Sequence, residues 1–173
     1  MLTLIYGGSG CGKSAYAEKL AVQSGGPLSY IATMQPFGMT AQKRIEKHRA
    51  QREGKGFRTI EWYTGLDKLK LPRQKTILLE CMGNLVANEL FSPDGAGKDA
   101  VERILIGIAN LERQTEKLIV VSNDVFKDGL NYPEETQIYL NFLGAINRML
   151  AQRAEQVFEI VCGIPLTIKG EVL

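Results

Sequence analysis

Gly7, Gly8, Ser9, Gly10, Cys11, Gly12, Lys13 and Ser14 carry the spacing G-x-x-x-x-G-K-[ST]. That set of residue types suits one task. Glycines let successive backbone N–H groups turn inward on phosphate oxygens, the lysine reaches the β- and γ-phosphates, and the serine hydroxyl can ligate Mg²⁺. Such a loop needs a strand to deliver it and a helix to receive it. The apolar run Leu2 to Tyr6 precedes it and a helical stretch follows it. An ordinary glycine-rich turn would not require that order, so the segment reads as a nucleoside triphosphate site, with GTP or ATP as substrate.

Phosphate transfer at such a loop also calls for an acid at the end of another strand, to hold Mg²⁺ or its water. Glu80 ends the run Thr76 to Glu80, and Asp124 follows the run Leu118 to Asn123. Either carboxylate could cap a helix or face solvent. Glu80 is preferred because it directly follows the most continuously apolar strand, which makes Ser14 and Glu80 the expected metal pair. The Asn-Lys-x-Asp signature of regulatory GTPases is absent. That favours a metabolic kinase or transferase over a switch.

His48 is the only histidine of the chain. On a helix from 40 to 52, a spacing of four places Arg44, His48 and Arg52 on one stripe. A basic stripe is ill suited to a core, and it suits an imidazole that attacks phosphorus while guanidinium groups hold the oxygens. A lone histidine is more often structural than catalytic, and spacing alone does not reverse that. The surrounding window, residues 43 to 58, holds seven basic and two acidic side chains, whereas the rest of the chain is net acidic. A solvated helix face explains such a run, and a second phosphate-handling surface is the alternative. With no recognised binding motif beside it, nucleic acid is not expected as a partner.

The elements that position these residues are legible as apolar runs alternating with helical patterns. Strands are expected near 2–6, 28–32, 57–61, 76–80, 118–122, 156–161 and 166–169, and helices at 13–23, 40–52, 82–91, 98–114 and 134–153. This rhythm gives an α/β fold, a three-layer sandwich of the RecA-like P-loop NTPase type with a mostly parallel sheet. Gly163-Ile164-Pro165 would turn a last strand back as an antiparallel edge. Val101, Leu105, Ile108 and Leu111, and Ile138, Phe142, Ile146 and Met149, are read as core stripes. Loops near 34–39, 92–97 and 123–133 lie where ligands of open sheets collect. At 173 residues, one domain over 1–173 is expected, with 45% hydrophobic content. No apolar run approaches the roughly 20 residues that cross a bilayer. A cytoplasmic setting follows, and Cys11, Cys81 and Cys162 read as small buried residues rather than a zinc site or disulfide framework.

Taken together, the residues resemble the bifunctional adenosylcobinamide kinase/adenosylcobinamide-phosphate guanylyltransferase family of cobalamin biosynthesis. The similarity is carried by Leu4 to Ser14, Tyr30-Ile31-Ala32-Thr33, Arg44-Ile45-x-x-His48-Arg49-x-x-Arg52, Thr59-x-Glu61, Leu78-Leu79-Glu80-Cys81 with Asn88, Ser122-Asn123-Asp124-Val125, Gly144-x-x-Asn147 and Gly163-Ile164-Pro165. The resemblance implies two steps: phosphorylation of the hydroxyl of adenosylcobinamide's aminopropanol arm, then GMP transfer from GTP through a guanylylated His48 to give adenosylcobinamide-GDP. It also implies that Gly7 to Ser14, Ile31, Ala32, Thr33, Arg49, Arg52, Glu61 and Glu80 surround the nucleotide, with Glu61 at the guanine edge, and that the protein is a homo-oligomer, a trimer in that family. Departures from the pattern fall at Leu140-Asn141, at Phe126 to Gly129 and at Pro133, and the run between His48 and Glu61 is one residue longer. Two other readings stand beside this one: a small-molecule kinase in which His48 only contacts phosphate, and a module that senses GTP or ATP without transferring anything.

Overall fold

The computed structural model describes residues 1–125 and 132–171. These form the strands β1 (Leu2–Tyr6), β2 (Leu28–Ala32), β3 (Phe57–Glu61), β4 (Gln74–Glu80), β5 (Thr115–Val121), β6 (Gln156–Val161) and β7 (Ile164–Lys169). The helices are α1 (Lys13–Gln23), α2 (Gly38–Arg52), α3 (Met82–Phe91), α4 (Ala100–Gln114) and α5 (Glu134–Arg153). All the strands join one sheet in the order β3-β2-β4-β5-β1-β6-β7. Pairings from β3 to β6 are parallel, and β7 runs antiparallel on β6 at the edge.

Alternation along the strands divides the core between two faces. Leu2, Leu4, Ile77, Leu79, Leu118 and Val120 pack under α3, α4 and α5, while Ile5, Leu78, Ile119, Val121 and Phe158 pack under Ala17 and Ala21 of α1. Covered on both sides, these strands read as continuous apolar runs. The three-layer α/β expectation holds. Because Glu80 pairs with Val121 and Ile5 also pairs with Val121, the carboxyl ends of β1, β4 and β5 finish at one level. That common edge is where the loops carrying Gly7, Cys81 and Ser122 emerge.

Several boundaries differ from the sequence reading for visible reasons. Strands β4 and β5 begin earlier because polar residues are satisfied there: Ser29 Oγ donates to Gln74 Oε1 at 2.9 Å, and Thr115 Oγ1 donates to the Lys75 carbonyl at 3.1 Å. The β6–β7 turn is Cys162-Gly163, with φ of 50° and 81°, so Ile164 and Pro165 belong to the edge strand, where a missing N–H is tolerated. Cys162 is therefore exposed rather than buried. The core stripes are also rotated. On α4 the buried face is Ile104, Ile108 and Leu111; on α5 it is Leu143, Ile146 and Leu150, with Ile138 and Met149 exposed. Spacing locates a broad apolar face but not which flank of it points inward.

Helix α4 crosses a 3-10 turn at Leu66–Lys68, and Gly107 allows the approach. A Cβ there would lie 2.8 Å from Leu66 Cβ and 2.9 Å from the Asp67 backbone nitrogen. Removing a helical glycine gains about 1 kcal/mol of propensity, but overpacking against backbone costs about 1–3 kcal/mol. Gly107→Ala is thus expected to lower stability by up to about 2 kcal/mol, read as a lower urea midpoint at constant slope. A raised midpoint would contradict this packing.

Candidate active site

The phosphate loop leaves β1 through a gap only glycine fits, since a Cβ on Gly7 would sit 2.6 Å from the Ile160 carbonyl oxygen. It ends at Gly12, whose φ of 96° turns the chain into α1 with no side chain capping the helix and no acidic residue in its first turn. The exposed N–H groups and the positive end of the helix are left for an anion. Neighbouring elements fix the loop: Asp124 N–H donates to the Gly7 carbonyl at 3.0 Å and Gly163 N–H to the Cys11 carbonyl at 2.8 Å. Lys13 is buried, its Nζ donating to the Gly8 carbonyl at 2.7 Å.

Across from the loop stands the end of β4. The Ser14 hydroxyl donates to Glu80 Oε1, and Glu80 Oε2 is buried without a hydrogen-bond partner among the described residues. His48 Nδ1 lies 3.9 Å from the same Glu80 Oε1, too far for a hydrogen bond, and is likewise buried and unpartnered among the described residues. The imidazole is 28% exposed. Serine, glutamate and histidine, from three separate segments of sequence, thus meet around one carboxylate.

Helix α2 is exposed along nearly its whole length and is held at its C-terminal end. The Arg52 guanidinium sits 3.5 Å above the centre of the Tyr30 ring, an arrangement that favours a cation. Its Nε and Nη1 are buried and have no hydrogen-bond partner among the described residues. Lys55 Nζ, just past Gly54 (φ 74°), reaches buried Glu18 Oε2 at 2.6 Å. Arg49 pairs with Glu61, which also accepts from the Tyr63 hydroxyl at 2.9 Å. The Tyr63 hydroxyl and then Arg49 hold the Glu61 carboxyl below the usual carboxylate range. Burial, and next the Glu80 charge, push the Tyr30 phenol far above its ordinary value.

A cavity of about 500 Å³ is walled by these groups together. Of the expected nucleotide residues, Ser9, Gly10, Cys11, Gly12, Lys13, Ser14, Ala32, Arg49, Arg52, Glu61 and Glu80 line it, as does His48. Ile31 and Thr33 do not. Ile31 is wholly buried in the core, and Thr33 is a brace: its hydroxyl accepts from Cys81 N–H and donates to the Cys81 carbonyl, both at 2.8 Å, so it shapes the turn after Glu80 from behind. Gly7 and Gly8 form the root of the loop rather than its lining. The cavity also takes in Tyr30, Asn84, Asn123 and Tyr139, to which the sequence reading gave no role. No motif joins them, because each comes from a different element. Leu140 and Asn141 are not among its lining residues, and Phe126 to Gly129 and Asn131 lie outside the described residues.

Among the described residues no cluster of three His, Cys, Asp or Glu side chains could hold a metal ion by itself. Ser14 and the unpartnered Glu80 oxygen nonetheless fit a divalent cation that takes its remaining ligands from phosphate oxygens and water, the usual manner of Mg²⁺. The soft thiol of Cys81 beside them is a poor match for a hard cation that prefers oxygen ligands.

The family model described as cobinamide kinase / cobinamide phosphate guanyltransferase matches residues 3–168. The bifunctional adenosylcobalamin biosynthesis protein CobP of Pseudomonas aeruginosa is 32% identical over the full length of both chains. The bifunctional adenosylcobalamin biosynthesis protein CobU of Escherichia coli is 33% identical, covering 98% of this chain and all of its own. Among solved structures, a prototypical ATPase from the type III secretion system of pathogenic bacteria superposes with a TM-score of 0.56 at 10% identity, over 96% of this chain and 56% of its own. That likeness concerns the fold, which is of the P-loop NTPase type.

Proposed function

Since the chain belongs to the cobinamide kinase / cobinamide phosphate guanyltransferase family, and is therefore an enzyme with those two activities, we propose that this one cavity hosts both reactions, with His48 as the covalent carrier of GMP. A pure sensing module and a kinase lacking the second activity are set aside by the family. The observation that carries the assignment is the convergence of Ser14, Glu80 and His48, with His48 Nδ1 3.9 Å from the carboxylate that the serine engages.

For phosphoryl transfer, the loop N–H groups and Lys13 bind the β- and γ-phosphates, and Ser14 with Glu80 would hold Mg²⁺. Bound there, the cation neutralises charge on those phosphates. For guanylyl transfer, Nδ1 turned toward Glu80 leaves His48 Nε2 to attack the α-phosphorus of GTP. A nitrogen–phosphorus bond forms, the bond to the bridging oxygen breaks, and pyrophosphate leaves with that electron pair. Arg49 and Arg52 stabilise the charge that develops on the oxygens, and the unpartnered donors of Arg52 are suited to it. A phosphate oxygen of the phosphorylated corrinoid then attacks the same phosphorus and frees the imidazole. Glu61 is the proposed partner of the guanine edge, its carboxylate kept charged by Tyr63 and Arg49.

The same proposal has one domain carrying both steps in a cytoplasmic homo-oligomer of three subunits. No described helix is long and apolar enough to cross a membrane. The exposed row Ile164, Leu166 and Ile168 on the edge strand β7 offers an apolar face for subunit contact. Light scattering on the purified protein reads the subunit number directly.

Incubation with adenosylcobinamide, GTP and Mg²⁺ tests the function. Adenosylcobinamide phosphate should form first and adenosylcobinamide-GDP second, with one pyrophosphate released per GDP product. Phosphorylation that never proceeds to the GDP product would contradict the proposal. Glu80→Gln should preserve the fold and lower Mg²⁺-dependent transfer by about 10–100-fold, with a higher Mg²⁺ requirement. A larger loss in Asp124→Asn, with Glu80→Gln still active, would reverse the metal assignment.

A further inference from the structure

The wall of the cavity beside the phosphate loop carries a polar pair that the nucleotide reading leaves unused. Asn123 follows β5, the strand paired directly with β1, so it emerges next to the loop itself. Its backbone is fixed on every side: Ser122 N–H donates to the Ile5 carbonyl at 2.8 Å, Asp124 N–H to the Gly7 carbonyl at 3.0 Å, and Asn147 Nδ2 to the Asn123 carbonyl at 3.2 Å. The α5 residue Asn147 is in turn held by the Ser122 hydroxyl at 2.6 Å. Yet Asn123 Oδ1 is buried and has no hydrogen-bond partner among the described residues. An acceptor so rigidly placed and left unmatched is costly unless something donates to it.

Tyr139 stands beside it. A Cβ on Gly83 would lie 2.8 Å from Asn123 Oδ1 and 3.0 Å from the Tyr139 hydroxyl, so both polar atoms close in beside residue 83, which admits them there only because it lacks a side chain. Gly83, Asn123 and Tyr139 line the same cavity as Lys13, Ser14 and Glu80. Burial pushes the Tyr139 phenol up to about 12, so it is a donor near neutral pH. The pair therefore offers one acceptor and one donor. An alcohol oxygen matches both, donating its proton to Asn123 Oδ1 and accepting from Tyr139, and it keeps one lone pair free.

We propose that Asn123 and Tyr139 form the subsite that receives the hydroxyl of the phosphoryl acceptor and aims it at the γ-phosphate. This rests on the kinase half of the function proposed above. The acceptor oxygen bonds to the γ-phosphorus, the bond from that phosphorus to the β–γ bridging oxygen breaks with its electron pair passing to the nucleoside diphosphate, and the hydroxyl proton leaves to solvent. An asparagine cannot take up that proton, so its part is orientation, the main demand of a loose phosphoryl-transfer transition state. A Cβ at residue 83 would crowd the subsite from below.

The test compares adenosylcobinamide with an otherwise identical corrinoid that lacks the terminal hydroxyl, used as a competitive inhibitor. In the wild-type enzyme the hydroxyl-bearing compound should bind more tightly than the deoxy analogue. In Asn123→Ala and Tyr139→Phe this preference should shrink to near unity, and kcat/KM for corrinoid phosphorylation should fall roughly 100-fold. The Kd for GTP should move by less than about threefold, which also reports a folded cavity; Asn123→Ser provides a milder variant should Asn123→Ala be poorly folded. Full phosphorylation with an undiminished hydroxyl preference in these variants would overturn the subsite. So would a loss confined to GTP affinity, which would assign Asn123 to the nucleotide. A wild-type enzyme that phosphorylates no corrinoid would instead overturn the kinase reading beneath it.

Discussion

Lys13→Ala is expected to remove both transfer activities while leaving the fold in place. The amine is the one side-chain cation inside the loop, buried and resting on the Gly8 carbonyl 2.7 Å away. Without it, the β- and γ-phosphates of either reaction lose the charge that binds them in the ground state and steadies the leaving group. Removing one such electrostatic partner costs about 10²–10³ in rate. The loop itself is held by Asp124 on Gly7 and Gly163 on Cys11, and the neutral carbonyl left behind costs only about 1 kcal/mol. Thermal denaturation should therefore change little, while calorimetric GTP affinity and both product assays collapse together. Near-normal turnover of either reaction would remove the loop from that reaction.

His48→Ala should separate the two activities. Guanylyl transfer loses its nucleophile, for which an alanine methyl offers no substitute, so GDP-product formation should fall by at least about 10⁴-fold. Phosphorylation of the corrinoid uses Lys13, Ser14 and Glu80 and should persist, with adenosylcobinamide phosphate accumulating as an end product. Because α2 is largely exposed and fastened by Arg52 on Tyr30 and Lys55 on Glu18, the substitution should not disturb its seating. Equal loss of both activities would mean that His48 supports the cavity instead of carrying GMP.

How much of this was legible in the sequence depends on how local the cause is. The loop from Gly7 to Ser14 is one contiguous motif, and the strand before it and the helix after it are set by nearby apolar residues, so its position and conformation followed from the chain alone. Glu80 does meet the Ser14 hydroxyl, because the end of β4 stands opposite the loop, and its preference over Asp124 as the metal-holding acid belongs to the proposal that Asp124→Asn and Glu80→Gln test. Pairings between distant segments were not legible. Nothing in the spacing of Arg52 foretells a tyrosine ring beneath it, nor does Glu18 announce Lys55. Thr33 stands next to Ala32, which lines the cavity, yet its hydroxyl turns inward to Cys81. Asn123 and Tyr139 come together only because Gly83 has no side chain, which would meet both of them. On α5, a pattern equally compatible with Ile138 or Leu143 facing inward was settled only by the packing of the third layer.

Incubation of the purified enzyme with Mg²⁺ and GTP labelled at the α-phosphate, without corrinoid, tests the central claim most directly. The protein should acquire label that is lost in acid and kept in alkali, as a phosphorus–nitrogen bond requires, and peptide mass spectrometry should find GMP on His48. Added adenosylcobinamide phosphate should then discharge it as adenosylcobinamide-GDP. Label on any residue other than His48, or an enzyme that forms the GDP product without ever becoming labelled, would contradict the account.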